Sequence, residues 1–216
     1  QILSVNGKNV RLKGTAPSMT VPQFSTLLKQ QISFEPKDLV VATNWDYKAS
    51  PESVDGHVDM RRVSGGFRIL EDAEIDVLVD RFDVNLDFDR ESARMDAQMD
   101  ARNFGQLSAN IKIPVEKNPE TQDWGVAGQK KMDGAVAFSV SDLTWLGPLI
   151  NPGVRTSGDG QLAVAIGGTM NEPKVEGRLF ARGLLVNHLD QGLRLEDGDV
   201  VIDFNTDRAK IEKLEF

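Results

Sequence analysis

The amino-acid sequence predicts an all-β chain, and three observations carry that prediction. From about Asp38 onward apolar residues recur at every second position, the period of a strand with one buried face. The chain also holds 19 glycines and 9 prolines, which supply the positive and the fixed φ angles that turns need. Finally, a loose repeat of a turn followed by an alternating strand begins at Asp55-Gly56, Asp133-Gly134, Asp159-Gly160 and Asp197-Gly198. Its intervals are irregular, which argues against a propeller or a fixed-period solenoid and suits a sheet that adds strands one after another.

Taken in order, residues 2–12 read as a hairpin about Asn6-Gly7, a dipeptide that tolerates a type I′ turn. Residues 21–32 are the one helix candidate, short and amphipathic. Thr20 can cap it, Pro22 suits its first turn, and Phe24, Leu27, Leu28 and Ile32 form one stripe that would pack as a lid on a sheet. Strands are expected at 39–48, 57–63, 67–72, 75–80, 82–89, 93–102, 107–115 and 135–145. Residues 116–132 interrupt the series as a mobile loop with Pro119, Gly125 and Gly128, which Trp124 can pin to a neighbour. A hairpin follows, its strands at 160–166 and 175–181 and its turn at 167–173, and a further strand lies at 200–204.

Composition excludes several classes of function. Without cysteine there is no disulfide, thiolate or cysteine-zinc chemistry. The net charge of -8 is concentrated in 71–100, where acids far outnumber Arg81, Arg90 and Arg94; an acidic face repels phosphate backbones, so nucleic acid is not a partner. His57 and His188 are too few for a triad or a metal site, and no nucleophile elbow, phosphate-binding loop or paired helical histidines occur. No enzyme activity, metal or cofactor is expected. Asp83, Asn85, Asp87, Asp89 and Glu91 have the spacing of a calcium loop, but Phe88 stands where that loop needs glycine. On a strand these side chains are about 6.6 Å apart per two residues, a solvated outer face. No apolar run approaches the roughly 18 residues of a spanning helix. Both ends read as strands cut mid-sheet, so a single elongated β domain over 1–216, excised from a longer chain, is expected.

The opposite face is uniformly apolar. Ile75, Val77 and Val79 point to it from one strand, and Phe82, Val84, Leu86 and Phe88 from the next; Met95, Met99, Ile111 and Ile113 and then Val136, Phe138 and Val140 continue it. Such a face must be covered. A second sheet would make a sandwich and closure would make a barrel, whereas a curled sheet would leave a channel. Periodicity leaves the three open.

The punctuation is more specific than the composition. Gly158-Asp159-Gly160-x-Leu162-x-Val164-x-Ile166-x-Gly168-Thr169, with Pro173, Val175, Gly177, Gly192-Leu193-x-Leu195 and Val200-x-Ile202-x-Phe204, resembles the C-terminal conserved region of the TamB family of AsmA-like envelope proteins. Leu143-Thr144-Trp145-Leu146-x-Pro148-Leu149-Ile150, Trp45-Asp46 and Arg61-x-x-Ser64-Gly65 add to it. The resemblance implies an elongated, curled antiparallel or mixed β-sheet, a U-shaped β-taco whose apolar groove conducts phospholipid acyl chains. It implies a periplasmic bridge between the inner and outer membranes of a Gram-negative bacterium, with the parent protein anchored in the inner membrane. An outer-membrane Omp85-family barrel (TamA-like) would be the partner, and outer-membrane protein and autotransporter assembly the process supported. The groove would then also be lined by Leu162, Val164, Ile166, Val175, Leu179, Val200, Ile202 and Phe204. About 16 strands at ~4.8 Å would make the sheet roughly 75 Å long. The alternative is a β-rich scaffold without a lipid groove that docks such a barrel by β-augmentation, and open sheet edges would allow self-association.

Overall fold

A computed structural model describes residues 2–6, 9–21, 33–70, 74–121 and 123–216. Its strands are β1 (Ile2–Asn6), β2 (Asn9–Thr20), β3 (Ser33–Ala49), β4 (Val54–Leu70), β5 (Glu74–Val77), β6 (Val79–Phe88) and β7 (Ser92–Ala101). They continue as β8 (Gly105–Lys117), β9 (Trp124–Val126), β10 (Asp133–Val140), β11 (Val154–Gly168), β12 (Pro173–His188), β13 (Leu193–Asn205) and β14 (Ala209–Glu215). Among the described residues one α-helix, α1 (Leu146–Ile150), lies between β10 and β11.

Among the described residues the 14 strands join in a single sheet, ordered β1-β2-β3-β4-β6-β7-β8-β10-β11-β12-β13-β14, with β5 on β4 and β9 on β8. Each ladder is antiparallel, so the mixed sheet is not needed. Chain neighbours become sheet neighbours along most of the path, as where β6, β7 and β8 follow one another through short connections. The expected hairpins at the start of the chain and at 160–181 are both present.

The edges β1 and β14 do not meet, so the sheet is not a barrel. Extensive packing between described elements is confined to ladder neighbours and to α1 on β11, so no second sheet covers either face. The accessible surface, 13920 Å², is about 1.4 times the roughly 9,900 Å² of a compact protein of this mass. A single open layer explains that excess.

The layer is curled. Register shifts between Ala16 and Met19, Lys37 and Val40, Val79 and Arg81, Ser157 and Asp159, and Ala181 and Leu184 fall near one level of the sheet, on β2, β3, β6, β11 and β12. Bulges bend the strands that carry them, and aligned bulges crease the whole sheet. Gly65 lies on this line with φ 79°; a Cβ there would fall 2.0 Å from the Asp38 carbonyl oxygen, so no other residue fits. The fold closes toward the apolar side, since Phe67 beyond the crease meets Phe82 before it, edge to face with centroids 5.7 Å apart.

The crease holds the packed core. Ile69, Val77, Val79, Ala101 and Phe104 are buried there, with Trp145 and Leu149 packed against them. The Trp145 ring stacks on Phe104 at 4.4 Å, and the Thr156 hydroxyl donates to the Leu143 carbonyl (2.6 Å) while accepting the Gly147 amide (2.8 Å). That clasp seats α1 as a plug where β6, β7, β8 and β10 end.

Several expectations need correction. Strands 57–63 and 67–72 are parts of one strand, β4, because the glycines after Ser64 make a bulge rather than a turn. The strand expected over 135–145 stops at Val140; Asp142 Oδ1 accepts the Thr144 amide at 2.9 Å and turns the chain into α1. The break at 116–132 contains β9, and Trp124 Nε1 donates to the Ser50 carbonyl at 3.2 Å. The helix expected at 21–32 lies outside the described residues but for Val21, which precedes them as coil. Twelve strands on the main path, at ~4.8 Å spacing, give roughly 53 Å instead of 75 Å.

Candidate functional site

Because opposed residues in a ladder share a face, the register tests which candidates lie together. One row runs Trp45, Val58, Leu86, Met95, Ile111, Gly134, Ile166, Val175 across β3 to β12. The next runs Thr43, Met60, Val84, Ala97, Ala109, Val136, Val164, Gly177, Phe204. A third, from Phe82 through Met99, Leu107, Phe138, Leu162 and Leu179 to Ile202, borders the crease. Phe88, opposite Ala93 and then Ile113, forms the outermost row, while Val140 and Val200 lie at the crease beside Gly160 and Ala181. All candidates from β6 to β13 therefore lie on one face, in rows perpendicular to the strands.

Burial divides them. Val77 and Val79 are 2% exposed and Val140 is 6% exposed, all at the crease; Ile75 packs on the same cluster. They belong to the core. Phe82 and Met99 border it, packed against the cluster while still half-buried. The other sixteen, from Val84 to Phe204, are half-buried too, shielded by their in-row neighbours but not covered. In β7 and β8 the alternation runs half-buried, exposed, half-buried, which is what one layer without a partner gives. Thr43 is an exception within its row: it is 6% exposed and its hydroxyl has no partner.

The other face is polar. A charged row crosses it as Lys13, Asp46, His57, Asp87, Arg94, Lys112 and Asp133, alternating in sign but for the neighbours Arg94 and Lys112. Lys13 reaches Asp46 at 2.9 Å and holds its carboxyl below the usual carboxylate range. His57 places Nδ1 2.7 Å from Asp87 and Nε2 2.9 Å from Asp59, so its pKa is raised, chiefly by the Asp87 hydrogen bond. The sequence offered His57 as isolated; Asp87, thirty residues away, becomes its neighbour only through the β4–β6 register. Asp83, Asn85 and Asp87 lie on this face as expected. Asp89 instead ends the strand and accepts the Glu91 and Ser92 amides, both at 2.7 Å, which lowers its pKa.

A concavity of about 620 Å³ also opens on the polar face, with Gln98, Gln106, Ala137, Gln161 and Arg178 among its lining. A twisted sheet is saddle-shaped: curling toward one face along the strands arches it the other way across them. Curvature therefore accounts for this depression. Among the described residues no group of three or more histidines, cysteines or carboxylates gathers as a metal site, and no helix is long and apolar enough to cross a membrane.

Comparison with known proteins gives one result. A family model described as TamB, N-terminal domain, matches residues 18–180, most of the chain. The residue pattern at 158–204 pointed to the same family but to its C-terminal region, and the description of the matching model corrects that placement. No curated protein and no solved structure matches the chain.

Proposed function

This chain belongs to the TamB family, and from that premise we propose that it forms a non-enzymatic wall of a hydrophobic groove for phospholipid acyl chains. The observation that carries the proposal is the set of apolar rows from β4 to β13, half-buried and facing no second sheet among the described residues. Along a row a methylene leaves water without meeting a charge, and each buried CH₂ gains about 0.8 kcal/mol. The rows run along the length of the sheet, so a chain can advance from strand to strand while its headgroup stays in water outside the curl. The proposal places the segment in the periplasm of a Gram-negative envelope. There it supports outer-membrane protein and autotransporter assembly beside an Omp85-family barrel, and its parent is held in the inner membrane.

A charge in the middle of the rows tests this. In a sealed core Leu86→Asp would strand a carboxylate at a cost of several kcal/mol, enough to unfold a protein of ordinary stability. In an open groove the carboxylate keeps part of its hydration. Native mass spectrometry is expected to find phospholipid on the parent chain; Leu86→Asp is thus expected to melt cooperatively near the parent temperature yet to lose that phospholipid. Asp83→Ala, on the polar face beside Arg81, is expected to change neither. Unfolding of Leu86→Asp together with a lipid-free parent chain would reject the groove and leave a scaffold that docks its partner by β-augmentation.

A further inference from the structure

We infer that Gly177 and Gly56 set the clearance of the apolar channel, by letting an aromatic ring of the adjacent strand lie flat on the sheet. The inference rests on the groove reading above and concerns what shapes it. Side chains normally stand roughly perpendicular to a sheet, and two packed walls are only about 10 Å apart, so one upright ring takes much of the space a guest chain needs.

Phe204 is the direct cross-strand neighbour of Gly177. A Cβ on Gly177 would fall 2.4 Å from Phe204 Cζ, 2.8 Å from Cε2 and 2.7 Å from the Ala163 carbonyl oxygen; the ring and the β11 backbone together occupy the place of the missing side chain. Far along the sheet the arrangement recurs. Tyr47 is opposite Gly56, and a Cβ there would fall 2.8 Å from Tyr47 Cδ2. At Gly198 the Phe216 ring does the same, with Cε1 2.4 Å from the Cβ position. All three glycines have the parity of the apolar face, Gly177 in the row of Val164, Gly56 in that of Phe88 and Gly198 two residues before Val200. Aromatic cover of glycine also steadies strand pairing, but that role alone predicts no dependence of guest binding on ring posture.

The test uses the whole chain with phosphatidylethanolamine vesicles in which some acyl chains carry a photoactivatable diazirine. Gly177→Val must shift the Ala163 carbonyl as well as the ring, so it should fold with a lowered thermal midpoint while lifting Phe204 into the channel, and the folded variant should be labelled about tenfold less. Adding Phe204→Ala removes the lifted ring and should restore labelling. Gly56→Val, alone and with Tyr47→Ala, should repeat the pattern. Parent-level labelling of folded Gly177→Val, or a double variant as defective as the single one, would overturn the inference alone. Absence of labelling on the parent chain would overturn it together with the groove reading. If neither valine variant folds, the pairs serve the sheet's stability and the inference fails.

Discussion

His57 is the cation of the polar-face row whose charge depends on pH. Only a doubly protonated imidazole can donate to Asp87 and Asp59 at once, and the hydrogen bond to Asp87 is the main reason its pKa rises above the ordinary 6.5. Asp46 faces it from β3, Asp87 from β6, and Asp59 lies on its own strand. A group whose folded pKa exceeds its unfolded one contributes stability fully below the unfolded value and loses it as pH rises through the folded value. The thermal midpoint should therefore fall as pH climbs from below about 6.5 through the raised pKa of His57. The drop should be small, because the side chain is 45% exposed and water screens the pair. His57→Gln is expected to flatten that part of the profile, and a proton NMR titration should show His57 titrating above 6.5. An unchanged profile in the variant would mean the two carboxylates do not hold the proton.

At the scale of elements, the crease separates what was legible in the sequence from what was not. Parity identified the strands and the face that each apolar residue takes, so Leu86, Met95 and Val136 were grouped on one face before their register was known, whereas Val164 joined them through the family resemblance. Parity does not report cover, however. Val77 and Val79 have the same alternation as Val84, yet they are sealed by Phe104, Trp145 and Leu149 from distant parts of the chain. The plug was missed because the five residues of α1, with a glycine and a proline among them, are too few to show a 3.6-residue period. Bulges were missed because a glycine in a bulge reads like a glycine in a turn. The crease is testable through those glycines. Gly105 has φ 100°, and its Cβ would fall 2.0 Å from the Ser139 carbonyl oxygen. Gly105→Ala should lower the urea midpoint by the equivalent of about 1–3 kcal/mol or more. Gly167 has nothing within 4 Å of its Cβ position, and Gly167→Ala should stay within about 1 kcal/mol of the parent. Equal effects at the two sites would argue against a crease fixed by backbone geometry.

For the whole molecule, the decisive property is that the apolar face is bent but not closed. A sandwich made from the same strands would bury its apolar side chains between two layers and shorten the sheet. The open layer leaves most of them half-buried, and surface is the cost: 13920 Å² accessible against roughly 9,900 Å² for a compact protein of 23.8 kDa. Shape in solution distinguishes the two arrangements. A compact domain of 216 residues has a radius of gyration near 17 Å, whereas twelve strands in sequence extend the ladder to roughly 53 Å in one direction. Small-angle X-ray scattering at low concentration should thus give a radius of gyration clearly above 17 Å and a longest dimension no shorter than the ladder. Concentration matters, because the outer sides of β1 and β14 pair with no described strand, and exposed ladder groups favour association. A concentration series should show the apparent size rising while the extrapolated monomer stays elongated. A monomer with the compact radius would mean that the two sides of the crease close on each other, leaving no room for a guest chain along the apolar rows.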